Sequence, residues 1–162
     1  MNPVMQAVAV ATAACCGVTG GVLFGFSSFV LPALRTLPTT DAVLAMQAIN
    51  LAAPRSWFMV PLLGSALGSV VLGLYAALGG PAPGRVLLLG GAVAGVSVMA
   101  ITAGYHVPHN DALATVDAHA PTAVAQWQQF VGGWAGWNHV RTATALLATV
   151  ALVAGTWVRS LP

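Results

Sequence analysis

Charge is almost absent from this chain, and the few charged residues stand between long uncharged runs. Residues 2–34, 56–84, 86–110 and 142–158 contain no Asp, Glu, Lys or Arg. A helix needs about 20 residues to cross a hydrocarbon core about 30 Å thick. Four membrane-spanning helices are therefore expected at about 5–31, 57–79, 85–106 and 134–158. The last run is the shortest, about 26 Å as a helix, so "WNHV" ahead of Arg141 must itself enter the membrane boundary. Composition points the same way: 5% of residues are charged and the mean hydropathy is +0.86, whereas a soluble domain carries about 25% charged residues. The expected fold class is all-α, an antiparallel four-helix transmembrane bundle forming one membrane domain over residues 1–162.

Several function classes fall away at once. The five arginines are scattered and make no basic patch, so nucleic acid is not an expected partner. Two of them, Arg35 and Arg55, fall on one side of the expected bundle and two, Arg85 and Arg159, on the other, so charge gives no orientation. No carboxylate lies within a span, which argues against an ion pump built on a buried acid. The adjacent Cys15 and Cys16 read as small apolar residues. The first run has no basic start and is too long for a signal peptide, so it is expected to be a mature helix. "GGPAPG" between spans two and three reads as a tight turn, and the two longer connections read as loops.

Glycines four apart recur in each span: Gly17, Gly21 and Gly25, then Gly64 and Gly68, then Gly91 and Gly95, then Gly132 and Gly136. Lipid gives apolar helices no hydrophobic reason to associate, so close contact across small residues must hold them. These stripes are expected to face the bundle interior.

The polar side chains gather at one mouth of that bundle. "MQAIN" lies in the first connection, "HVPHN" opens the third, and "GWAGWNHVR" closes it. At about 100° per residue, His106 falls on the stripe of Gly91, Gly95 and Thr102 and should point inward. By the same count His139 falls with Gly132, Ala135, Gly136 and Ala143 and should also point inward, while Phe130, Trp134, Trp137 and Arg141 form another stripe whose tryptophans suit a membrane interface. Trp57 and Trp127 read as interface anchors, and His109 and His119 as solvated loop residues. Pro108 is expected to end the third helix just after His106.

An ionisable side chain turned into a membrane bundle marks a site by default. Histidine accepts protons near neutral pH, so the inward pair His106 and His139 supplies the candidate base. Asn110, Asn138 and Arg141 are expected to stabilise a developing oxyanion. His106, Gln47, Asn50, Trp134 and Trp137 are expected to line the substrate. There is no Ser–His–acid set, no phosphate loop and no CxxC. His106, His109 and His139, with Asp111, would be the ligands of any metal, on weak spacing.

"GVLFGFSSFVLPAL", "AMQAIN", "HVPHN" and "WNHVRT", in that order on four apolar spans, resemble the anthrone oxygenase-like family of small membrane proteins. The resemblance covers most of the chain. It implies oxidation of an anthrone to an anthraquinone by O2, and a bacterial cytoplasmic membrane as the setting. It carries over Gln47, Asn50, Pro108, Asn110, Trp137, His139 and Arg141; position 106, often Asn in relatives, is His here, so the resemblance makes His139 the expected base. The family supplies no cofactor motif, so O2 is the expected co-substrate with no cofactor besides. Two other readings stay open: a non-catalytic membrane module that binds a lipophile such as a quinone or packs against a partner or a second copy, and a metal- or haem-dependent oxidoreductase.

Overall fold

The computed structural model describes residues 1–160. Its helices are α1 (Pro3–Arg35), α2 (Thr39–Ala52), α3 (Met59–Leu78), α4 (Arg85–Ala114) and α5 (Ala123–Ser160). No strand occurs among the described residues. α1, α3, α4 and α5 are each long and apolar enough to cross a membrane, as expected from the uncharged runs. They pack as a ring in which α1 touches α3, α3 touches α4, α4 touches α5 and α5 returns to α1. All four neighbour pairs are antiparallel. Gly64 and Gly68 of α3 sit against Cys15 and Thr12, Gly73 against Ala92, Leu88 against Gly155, and Gly20 against Ala145. Gln6 and Ser160 border one groove, so both ends of the bundle chain share a face, opposite His106.

Three glycines of the expected stripes stand elsewhere. Gly21, Gly132 and Gly136 have open space where a Cβ would be. The close approach of α1 to α5 is made by Gly20 instead. At two glycines that face a neighbouring helix a side chain has nowhere to go: at Gly95 a Cβ would collide with Ser69, and at Gly68 with Thr12. Gly95→Leu is therefore expected to destabilise the bundle by about 1–3 kcal/mol or more through overpacking. Gly21→Leu, facing open space, should leave stability nearly unchanged. Thermal unfolding in detergent reads both, and equal midpoints for the two variants would refute the packing scheme.

Pro108 does not stop α4, contrary to the sequence reading. A π-helical stretch, Thr102–His106, precedes it, and the Val107 N–H bonds to the Thr102 carbonyl five residues back. α1 repeats the device: Phe26–Val30 is π-helical, the Leu31 N–H bonds to Phe26, and Pro32 follows. Proline lacks an N–H and crowds the carbonyl four residues before it. One extra residue in the turn relieves the crowding and lets the helix resume with proline in its first turn.

The two longer connections are helical rather than loops. α2, the last turns of α4 and the first turns of α5 build a second layer on the mouth of the bundle, packed around Leu34, Val43, Met46, Leu113 and Trp127. Gln47 fastens this layer by donating to the carbonyls of Leu113 (2.9 Å) and Val116 (3.0 Å) at and just beyond the end of α4. α5 starts at Ala123, well before the expected boundary, and its 38 residues extend for about 57 Å.

Candidate functional site

Where the second layer meets the ring, a cavity of about 460 Å³ remains. That lies within the usual range for small-molecule sites, about 300–1,000 Å³. α1 contributes Leu23 and Phe26, α3 contributes Met59 and Leu62, and α4 contributes Met99 and Ala103. Against this apolar lining stand Asn50, Thr102, His106, Asn110, Trp134 and Arg141. A wider groove of about 620 Å³ between α1 and α5 holds no buried polar side chain lacking a partner.

The π stretches shape the polar part. His106 is the last residue of the α4 stretch and is 1% exposed. Its ring sits edge-on to Trp134, with centroids 5.1 Å apart, and the backbone of Trp137 lies beside it. Neither ring nitrogen makes a hydrogen bond of good geometry. Thr102, first in the same stretch, accepts from Arg141 Nη1 at 3.2 Å. Arg141 Nη2 donates to Asn138 Oδ1, and Arg141 Nε has no partner. The guanidinium also lies 5.7 Å from the centre of the Trp134 ring. Asn138 is fully buried. Its amide donates to the Leu23 carbonyl (2.9 Å) and to Ser27 Oγ, so it grips α1 at its own π stretch. Trp134 Nε1 donates to Asn110 Oδ1 at 3.1 Å, leaving the Asn110 amide hydrogens free.

The charge balance is one-sided. Arg141 is 6% exposed, and no Asp or Glu contacts it. A buried guanidinium stays charged, and an unpaired buried charge is costly. Asn50 Nδ2 is also buried without a partner. An apolar chamber with an unbalanced cation, a free histidine and unfilled donors is built to receive an acceptor-rich or anionic group.

Several expected residues are not part of it. His139 is exposed on the outer face of α5. Its inward placement rested on Gly132, Ala135, Gly136 and Ala143, of which all but the half-buried Ala135 are themselves exposed. The buried seam of α5 instead runs through Trp127, Trp134, Asn138, Arg141, Ala145, Ala148, Leu152 and Gly155. Following this three-and-four spacing back from the small residues near the C-terminal end would have placed Asn138 and Arg141 inside. Trp137 is 43% exposed and rests on Tyr105, outside the cavity. Gln47 serves the second layer. Asn138 lies behind Arg141 with its amide already engaged, so it is not an open oxyanion donor. The possible metal set is not gathered: His106 is buried, His109 bonds to the Tyr105 carbonyl and His139 is exposed. Among the described residues no group of three or more His, Cys, Asp or Glu comes together. Ser27 and Phe26 were missed. "GFSSFVLP" held the clue, because it places a proline after two serines in a span.

The fold and the cavity define a helical protein of the membrane-spanning type with a buried, apolar, cation-bearing chamber at one mouth of the bundle. The family model described as Anthrone oxygenase matches residues 55–151. The chain belongs to that family. The matched region holds His106, Asn110, Trp134, Asn138 and Arg141, while α1 and α2 lie before it. No curated protein and no solved structure matches the chain.

Proposed function

We propose that this protein is a membrane-embedded oxygenase that uses O2 to oxidise a flat, lipophilic, anthrone-like ketone, with no further cofactor. The observation that carries the reading is the pairing of Arg141, buried without an anion, with His106, buried without a hydrogen-bond partner, on one apolar cavity. The family match supports the oxygenase class; the base at His106 rests on this chain's own geometry, since relatives often carry Asn there.

The chemistry asked of these groups is limited. The methylene opposite the carbonyl of an anthrone is acidified, because its anion spreads onto that oxygen. His106 takes the proton. Arg141, with the free amides of Asn50 and Asn110, holds the developing oxyanion. The electron-rich anion passes one electron to O2, and the two radicals combine into a peroxide at the former methylene carbon. That peroxide takes up a proton. Loss of the remaining hydrogen as a proton then breaks the O–O bond, leaving a new carbonyl and releasing water. The sum is anthrone plus O2 giving anthraquinone plus water. Phe26 and Trp134 supply flat walls, and the bilayer supplies the substrate. A bacterial cytoplasmic membrane is the proposed setting.

The test is oxygen uptake by the full chain in nanodiscs with a panel of anthrones, read beside the absorbance of the quinone formed. Consumption of one O2 per quinone is expected. His139→Ala should keep the wild-type rate, because that side chain points away from the cavity. Loss of turnover in His139→Ala would return the base to that residue. If no anthrone is consumed while a quinone still binds, the protein is a lipophile-binding module.

A further inference from the structure

We infer that the cavity selects flat lipophilic anions over their neutral counterparts, and that Asn138 is the positioning residue that gives it this selectivity. The inference rests on the reading of this cavity as the ligand site and names the ligand class it favours at rest.

Arg141 sits on α5, but neither of its side-chain partners anchors it by chance. Thr102 opens the π stretch of α4, and Asn138 grips α1 through Ser27 in its π stretch and Leu23 in the turn before it. The guanidinium is thus strung between two distorted turns on opposite sides of the ring. Its Nη1 and Nη2 are each held by one neutral oxygen, and Nε has none. Asn138 supplies an oxygen without supplying a charge. An aspartate at that position would keep the oxygen and add the missing anion, satisfying Arg141 from within the protein. The amide at 138 therefore leaves the positive charge uncompensated for a ligand. Because both jobs are done by one side chain with no exposure of its own, Asn138 acts through Arg141 rather than on the ligand.

The experiment uses the full chain in nanodiscs of zwitterionic lipid, corrected against empty discs. Two unreactive probes are compared by quenching of tryptophan fluorescence: anthraquinone-2-sulfonate as the anion and anthraquinone as the neutral ring. The wild type should bind the anion about ten- to a hundredfold more tightly, the usual worth of a hydrogen bond to a charged group. In Asn138→Asp the preference should fall to within about threefold, with the affinity for anthraquinone unchanged. An unchanged preference in Asn138→Asp, or equal loss of both probes, overturns the positioning role. No preference in the wild type overturns the selectivity itself. If Asn138→Asp does not fold, Ser27→Ala, which releases one of the two bonds that hold the amide, should lower the preference in the same direction by a smaller factor, and no change there overturns the role. Because neither probe turns over, these results stand apart from whether any anthrone is oxidised.

Discussion

Arg141→Met is expected to lower kcat for anthrone oxidation by about 10² to 10³, the usual effect of removing one strong oxyanion stabiliser. Methionine fills much of the same space but carries no charge, so the anion formed by deprotonation would be left with amide donors alone. Binding of the neutral ketone should change little, because the ground-state contacts are apolar. The loss should therefore fall on kcat more than on KM. The fold should survive. The substitution gives up the bonds to Thr102 and Asn138, but it also removes a buried cation that has no anion beside it. Stopped-flow oxygen uptake with a thermal midpoint on the same sample makes the measurement. A variant that retains wild-type kcat would show that no oxyanion forms beside Arg141.

His106→Asn should lower the rate near neutral pH by about 10² to 10⁴, the usual contribution of a placed general base. Asparagine keeps a polar side chain of similar reach but cannot accept the proton. The pH response separates a lost base from a damaged cavity. Anthrones also ionise in solution, and the ionised fraction grows as pH rises. A variant lacking the base should therefore recover turnover steadily with increasing pH, because Arg141 can still receive a substrate that arrives as its anion. A damaged cavity would not recover. A wild-type rate at neutral pH would remove His106 from the mechanism.

Both expectations concern residues whose roles shifted between sequence and structure. His106 was read as inward from Gly91, Gly95 and Thr102, and it is buried, because that stripe does pack against α3 and α5. The same rule misplaced His139. In α5 Gly132 and Gly136 face outward, and large aromatic residues fill the wider space beneath the second layer. Small residues mark an interface only where two helix backbones approach closely. Above the ring α5 no longer packs against such a backbone.

The sequence by itself determined the number of spans, their antiparallel order and the gathering of polar residues at one mouth. Those follow from long uncharged runs and chain direction, and both are local properties of the chain. Only the tertiary structure decided which side chains meet there. The π stretches before Pro32 and Pro108 turn the helix faces by a register that periodic counting does not carry. That turn brings Ser27 to Asn138 and Thr102 to Arg141, across separations of more than a hundred and of thirty-nine residues. The fold also leaves a buried cation with no anion of its own, because the oxygens it brings to Arg141, from Thr102 and Asn138, are both neutral.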